Sequence, residues 1–278
     1  MKTQTIKQIL LATLSFTFLG VLFNVRNFES LSLSYFGWNL LANLLIVFTL
    51  GAYVRTSIYS SKKIWLHTFA IFYVIGCFNI LIEALIFNVT DSMETTYQLI
   101  MGIPYCAITS LVLVYIFKKW KAQPAPSQNF LERKIHVWGW RILATNIIYF
   151  IFYIMAGIIL QTTLPSFFEF YQDKIPAFSD IIITNLFFRG FVFAFICILI
   201  DHTTAGTKWF KALMVGATFA IIGGIAPLIP SNEFMPAFIR LGHAIEVGVS
   251  NFLFGIISVL LLHSNTSEEG KLITKDTQ

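Results

Sequence analysis

Charged residues are scarce in this sequence. Asp, Glu, Lys and Arg make up 12% of the 278 residues, whereas hydrophobic residues make up 56%. A typical soluble domain is about 25% charged, so the chain has roughly half the charge that a water-exposed surface carries. The 29 Phe and 6 Trp add aromatic surface that promotes aggregation in water but is compatible with lipid. The composition excludes an ordinary soluble domain and predicts a membrane protein.

Cysteine is also scarce, and recognisable catalytic motifs are absent. The three cysteines, Cys77, Cys106 and Cys197, each lie inside an apolar run without CxxC or Cys/His spacing. Neither a disulfide framework nor a zinc site is indicated. The sequence has no HExxH, no GxSxG, no Walker A motif, and no Glu-Glu pair inside an apolar run. We therefore predict no metal and no cofactor, and no motif indicates an enzyme.

Long apolar runs dominate what is present. They cover approximately residues 8–24, 36–54, 64–87, 98–117, 137–160, 181–200, 212–229 and 237–262. Each is long enough to cross a hydrocarbon core of about 30 Å. They lack the alternation of barrel strands, and a helix satisfies its own backbone hydrogen bonds in lipid. The sequence predicts an all-α membrane bundle with about eight transmembrane helices in contact with the lipid bilayer.

Basic residues occur in short clusters between these runs, although the net charge is +5. The clusters are Arg55, Lys62 and Lys63; Lys118, Lys119, Lys121, Arg133 and Lys134; Lys208 and Lys211; and Lys2, Lys7, Lys271 and Lys275 near the termini. With eight spans they all fall on one side, which the positive-inside rule assigns to the cytoplasm. We predict two cytoplasmic termini and no nucleic-acid partner, since one basic face is lacking. Short loops favour a plasma membrane, specifically a bacterial inner membrane.

The polar segment between the fourth and fifth runs divides the chain. We predict a first half at residues 1–120, a cytoplasmic linker at 121–136, a second half at 137–263 and a cytoplasmic tail at 264–278. A shift of 146 residues lays Asn39 on Asn185 and Lys62 on Lys208. Because each half has an even number of spans, a duplication predicts parallel repeats related by an axis along the membrane normal. The identities are few, so chance similarity of hydropathy is the alternative.

Glycine and proline interrupt several runs at corresponding depths. The segment 223–227 reads Gly-Gly-Ile-Ala-Pro, Gly76 lies at a matching place in the third run, and Gly102 with Pro104 interrupts the fourth. Interrupted spans in corresponding places of two halves mark binding sites in transporters. The alternative is close helix packing, for which small residues are common in membranes.

Two opposite charges lie deep in the predicted membrane region. Arg189 is nine residues into the sixth run from Asp180, about 13 Å deep at 1.5 Å per residue. Glu246 lies at a similar depth in the eighth run, which enters from the same side. An ionisable residue at the centre of a membrane helix costs about 2.5–3.5 kcal/mol, so each requires a partner. We predict that Arg189 and Glu246 form an ion pair.

Other polar residues are expected near this pair. They are Glu83, Asn185, Arg240, His243, Ser250 and Asn251. Together with Arg189 and Glu246 they predict a polar cavity open to the outside. The alternative is a structural ion pair or hydrogen-bonded cluster that fixes helix packing.

Three classes of function fit these features. The leading hypothesis is a transporter for a small polar or anionic solute, because Arg189 would attract an anion and Glu246 or His243 could exchange protons. The first alternative is a non-catalytic membrane subunit or assembly factor. The second is an intramembrane enzyme acting on a lipid or membrane peptide through His243 and Glu246. The oligomeric state stays open.

Overall fold

Eight helices in the structure are long and apolar enough to cross a membrane, which confirms the predicted all-α bundle. The computed structural model describes residues 2–23, 32–117, 134–231 and 235–263. Residues 121–133 of the predicted linker and the predicted tail at 264–278 lie outside the described residues. The described part of the chain contains no named strand.

Five of the spans are continuous α-helices. They are span one, Lys2–Phe23; span two, Leu33–Thr56; span four, Ser92–Ile116; span five, Ile135–Thr163; and span eight, Ala237–Leu262. Ser32 and Asp91 accept hydrogen bonds from backbone N–H groups in the first turns of spans two and four, and Thr207 accepts one in the first turn of the helix Lys208–Ala220. These N-caps satisfy donors that have no partner within the helix, so they fix where each helix begins.

Each of the other three spans contains a π-helical turn of five residues. Span three consists of Ser61–Tyr73, the π turn Val74–Phe78 and Asn79–Ile86. Span six consists of Phe178–Thr184, the π turn Asn185–Arg189 and Gly190–Thr203. Span seven consists of Lys208–Ala220, the π turn Ile221–Ile225 and Ala226–Leu228. A further short helix, Pro165–Tyr171, follows span five and is called the distal helix below.

The predicted interruptions are present in spans three and seven and absent from span four. Gly76, Gly223 and Gly224 lie inside π turns. Pro104 lies inside a continuous helix, so the predicted break at Gly102 and Pro104 is wrong. A Cβ at Gly102 would collide with the Cys77 side chain of span three. This glycine therefore serves close packing between helices.

Helix ends from both halves meet on one side of the bundle, called the terminal side. Gln8 near the start of span one donates to the carbonyl of Ile116 at the end of span four (2.7 Å). Arg141 near the start of span five donates to the carbonyl of Leu261 at the end of span eight (2.8 Å). The basic clusters predict that this side is cytoplasmic, and that orientation stays a prediction. The opposite side is called the distal side.

The helix pattern of span three recurs in span seven, and spans two and six end at corresponding residues. Ser61–Tyr73 and Lys208–Ala220 each have 13 residues, and a five-residue π turn follows each of them. An offset of 147 residues relates residue 61 to 208, residue 74 to 221, and the last residues of spans two and six, Thr56 and Thr203. This offset differs by one residue from the shift of 146 that the sequence favoured.

Reciprocal hydrogen bonds join these related segments on the terminal side. Ser57 and Thr204 form an isolated antiparallel bridge. Ile58 N–H donates to the Thr203 carbonyl, and Ala205 N–H donates to the Thr56 carbonyl, both at 2.8 Å. The offset of 147 residues interchanges the two hydrogen bonds, because it relates 56 to 203, 57 to 204 and 58 to 205.

The π turns of spans three and seven make a second reciprocal contact. A Cβ at Gly76 would lie 2.8 Å from Cγ2 of Ile222, and a Cβ at Gly223 would lie 3.0 Å from Cγ2 of Ile75. The same offset relates 75 to 222 and 76 to 223. Each glycine thus leaves room for the isoleucine of the opposite half.

Candidate functional site

A cavity of about 440 Å³ lies in the distal part of the bundle. Its walls come from spans three, five, six, seven and eight and from the distal helix. Aliphatic and aromatic side chains form most of the surface. The aromatic residues are Phe87, Tyr149, Phe152, Tyr153, Phe167, Tyr171, Phe178 and Phe254. The charged or titratable non-tyrosine residues of the wall are Glu83, Arg189, His243 and Glu246.

Packed aromatic rings separate the cavity from the terminal side. Phe193 and Phe219 lie behind the lining residues Tyr149 and Phe254. The ring centroids of Phe193 and Phe219 are 4.8 Å apart, and those of Tyr149 and Phe193 are 5.0 Å apart. Phe193, Phe219 and Phe254 are each at most 2% exposed. The cavity therefore has a closed, tightly packed floor.

Arg189 lies at the edge of this floor, and each nitrogen of its guanidinium donates a hydrogen bond. Its Nη2 donates to Oε2 of Glu83 at 2.7 Å, its Nη1 to Oδ1 of Asn185 at 3.0 Å and its Nε to Oδ1 of Asn79 at 3.2 Å. The guanidinium carbon also lies 5.7 Å from the centre of the Tyr153 ring. These contacts compensate the cost of burying a cation that is 5% exposed.

The predicted ion pair between Arg189 and Glu246 is wrong, because Arg189 pairs with Glu83. Helical rise along the sequence does not give the direction in which each side chain points. Arg189 ends the π turn of span six and faces span three. Glu246 instead contacts His243, one turn earlier on its own helix.

Glu246, His243 and Tyr171 form a hydrogen-bonded chain along the cavity wall. Nδ1 of His243 is 3.2 Å from Oε2 of Glu246, and Nε2 of His243 is 2.7 Å from the Tyr171 hydroxyl. Tyr171 belongs to the distal helix, so this chain ties that helix to span eight. Tyr171 and Glu246 are 75 residues apart in the sequence, so the fold brings the three residues of this chain together.

The protonation pattern of this chain follows from chemistry. Burial raises the pKa of the Tyr171 hydroxyl, and the nearby carboxylates of Glu83 and Glu246 raise it further, so the hydroxyl keeps its proton and donates it. A carboxylate only accepts, so Nδ1 of His243 carries a proton for Glu246. A neutral imidazole protonated at Nδ1 satisfies both hydrogen bonds, since its Nε2 accepts from Tyr171.

The remaining predicted site residues lie in different places. Ser250 and Asn251 line the cavity, and Nδ2 of Asn251 donates to the carbonyl of Phe219 at 3.4 Å. Asn185 lies behind Arg189 as its acceptor and is not part of the wall. Arg240 is also outside the wall, where it donates to the carbonyl of Met235 at 2.8 Å.

Several buried polar residues escaped the sequence analysis. Asn79 accepts from Arg189 while its Nδ2 has no hydrogen-bond partner among the described residues. On the terminal side, Asp201 is 2% exposed and binds Nδ1 of His263 at 2.8 Å and Nζ of Lys211 at 3.8 Å. Asn79 and Asp201 were not among the predicted site residues, since a single Asn or a carboxylate at the edge of an apolar run is common.

No group of three or more His, Cys, Asp or Glu side chains in the described ranges is arranged to hold a metal ion. Comparison of the chain with protein-family models, with curated proteins and with solved structures finds no match. The geometry of the cavity is therefore the basis for assigning a function.

Proposed function

We propose that the protein is a transporter that binds a small solute in the distal cavity and releases it on the terminal side. The observation that carries this proposal is the cavity itself, with a volume of about 440 Å³ and a buried ionic network at its floor. Ligand sites typically occupy about 300–1,000 Å³ and place a few polar groups in an apolar wall. An intramembrane charge facing such a space is a mark of a solute pathway.

The π turns of spans three, six and seven favour a mechanism in which the floor of the cavity moves. Arg189 from the turn of span six and Gly223 and Gly224 from the turn of span seven line the cavity. The turn of span three directly precedes Asn79, which accepts from Arg189. A π turn has poorer hydrogen-bond geometry than an α-helix and is frequent at functional sites. Interrupted spans near the midplane are also a feature of transporter binding sites.

The reciprocal contacts between spans two and six and between spans three and seven support a two-part mechanism. We treat residues 1–120 and 137–263 as parallel repeats related by an axis along the membrane normal. The Ser57–Thr204 bridge then lies across that axis and closes the terminal side. In such repeats, access alternates when one half rocks against the other around the site. The distal cavity corresponds to the state open to the outside.

A cysteine inside the cavity tests this proposal without knowledge of the substrate. Ser250→Cys is introduced after Cys77, Cys106 and Cys197 are replaced, because Ser250 lines the cavity and is partly exposed. A membrane-impermeant thiol reagent is applied to intact cells and, separately, to inside-out vesicles. We expect labelling from both sides, because the cavity opens to each side in turn.

Ser258→Cys is the matched control, since Ser258 lies two turns further along span eight and is 0% exposed. We expect no labelling of this cysteine from the distal side. Labelling of Ser250→Cys from one side only would mean that the cavity is a binding pocket and that the transport proposal is wrong. The absence of labelling from either side, in a protein that elutes as a folded species, would mean a dry cluster with a structural role.

A further inference from the structure

The charge of the cavity wall points to the kind of ligand it accepts. The sequence favoured a small polar or anionic solute because Arg189 would attract an anion. In the structure Glu83 pairs with Arg189 at 2.7 Å, and Asn185 and Asn79 accept from its Nη1 and Nε. The carboxylate of Glu83 therefore already balances the positive charge that would attract an anion.

Glu246 is the charge that remains. The wall contains two carboxylates, Glu83 and Glu246, and one guanidinium, so it carries a net negative charge when His243 is neutral. Among the described residues, the one hydrogen-bond partner of the Glu246 carboxylate is the imidazole of His243, and the Glu246 side chain is 17% exposed. An uncompensated carboxylate in an apolar, poorly hydrated space attracts a cation much more strongly than it does in water.

Aromatic rings pack around the imidazole that binds this carboxylate. Tyr171 contacts His243 from the distal helix, and Phe167 packs edge-on to the same imidazole with ring centroids 5.0 Å apart. In all, eight aromatic residues contribute to the wall. A cavity wall that combines a carboxylate with aromatic side chains can recognise an organic ammonium group through charge and cation–π attraction together.

The rest of the wall favours a ligand that is apolar away from its charged group. Ile80, Ile154, Ile158, Leu160 and Leu228 are among the aliphatic residues that line it. A metal cation would find few ligands there, because the described residues hold no cluster of metal-binding side chains. The cavity is also several times larger than a desolvated metal ion needs.

We infer that the cavity takes an amphipathic organic cation, with its ammonium group at Glu246 and its hydrocarbon body against the aliphatic and aromatic wall. This inference rests on the proposed function, because it names the substrate class of the same cavity. It assigns Glu246 as the residue that selects the charge of the ligand and His243 as the residue that positions the carboxylate.

Three probes of nearly the same shape test the inference: 4-phenylbutylamine, which is cationic at pH 7, 4-phenylbutyrate, which is anionic, and neutral 4-phenylbutanol. Their binding to the purified full-length protein in detergent is measured by equilibrium dialysis. We expect the amine to bind at least tenfold more tightly than the carboxylate, with the alcohol between them. A detergent solution has no second compartment, so this result does not depend on transport.

Glu246→Gln identifies the residue responsible. We expect this variant to bind the amine at least tenfold more weakly and the alcohol unchanged, which shows that the cavity persists without its charge. Glu169→Gln is the matched control, because Glu169 is an exposed carboxylate on the distal helix outside the cavity wall, and it should bind all three probes normally.

The possible failures are distinct. Tighter binding of the carboxylate than of the amine, or binding of none of the three probes, overturns the cation inference and leaves two-sided access of Ser250→Cys untouched. Equal loss of amine binding in Glu246→Gln and Glu169→Gln also overturns it. Selective amine binding together with one-sided labelling of Ser250→Cys supports the cation site and contradicts the transport proposal.

Discussion

At the scale of single residues, Arg189 organises the cavity floor. It connects Glu83 and Asn79 of span three with Asn185 of its own span. A buried ion pair contributes little net stability relative to a well-packed apolar pair, yet removing one partner leaves the other uncompensated. The network therefore couples the two halves of the chain through electrostatics at the depth of the cavity.

We expect Arg189→Ala to lower stability more than the double variant Arg189→Ala/Glu83→Ala. Breaking a fully buried pair costs about 3–5 kcal/mol. Because the side chain of Glu83 is 35% exposed, we expect a loss near the lower end of that range. The double variant regains part of it, since no unpaired carboxylate remains. The stability of the single variant and of the double variant is measured as the melting temperature in detergent, which is monitored by size-exclusion chromatography. A double variant as unstable as the sum of the single variants would contradict this coupling.

The sequence located the charged residues of the site but not their partners. Arg189, Glu83, His243 and Glu246 stood out because ionisable side chains are rare inside apolar runs. Spacing along a helix gives depth, whereas the direction of a side chain depends on how neighbouring helices pack and on the extra residue in a π turn. This is why Glu83, and not Glu246, binds Arg189. Tyr171 was not predicted as part of the site, because an aromatic residue in a loop is also typical of the membrane interface.

At the scale of helices, spans seven and eight make the closest contact. A Cβ at Gly255 would lie 2.6 Å from Cα and 2.7 Å from N of Gly216, and a Cβ at Gly216 would lie 2.8 Å from the carbonyl oxygen of Phe252. These neighbours are backbone atoms and cannot rotate away. The two glycines thus let the backbones touch, as small residues do in other membrane helix pairs.

We expect Gly255→Ala to destabilise the protein by about 1–3 kcal/mol, the usual cost of overpacking, because span eight must move away from span seven. Gly139→Ala is the matched control, since a Cβ at Gly139 meets no atom within 4 Å. Its melting temperature should stay the same or rise slightly, because alanine favours the helix. Equal effects of the two substitutions on the melting temperature would show that the backbone contact does not limit packing.

The positions of the spans were predictable because hydrophobicity and length encode them directly. The predicted run 181–200 corresponds to the helical segment from Phe178 to Thr203, and 98–117 corresponds to Ser92–Ile116. These two helices begin before their runs, since their first residues include polar ones that hydropathy excludes. The π turns could not be predicted from hydropathy, because the switch to i→i+5 hydrogen bonds does not change which residues are apolar. Gly76 and Gly223 indicated an interruption at two of the three turns.

At the scale of the whole molecule, reciprocal contacts join span two to span six and span three to span seven. The Ser57–Thr204 bridge lies on the terminal side, and the Gly76–Ile222 and Gly223–Ile75 contacts lie beside the cavity. In the proposed mechanism these two sets of contacts have different roles. The central contacts act as the pivot, while the bridge must open when the terminal side opens.

The most direct test of this mechanism is a cross-link across the bridge. Ser57 and Thr204 form a non-hydrogen-bonded antiparallel pair, since the flanking residues make the two hydrogen bonds. Such pairs bring Cα atoms to about 4.5 Å, within the range of a disulfide. Ser57→Cys and Thr204→Cys are added to the Ser250→Cys protein that lacks its native cysteines. Mass spectrometry of the linked peptides verifies the disulfide.

Labelling of Ser250→Cys is then measured from each side, before and after oxidation. We predict that oxidation abolishes labelling from the terminal side, that a reductant restores it, and that labelling from the distal side continues throughout. Persistent labelling from the terminal side in fully cross-linked protein would contradict alternating access through separation of the two halves.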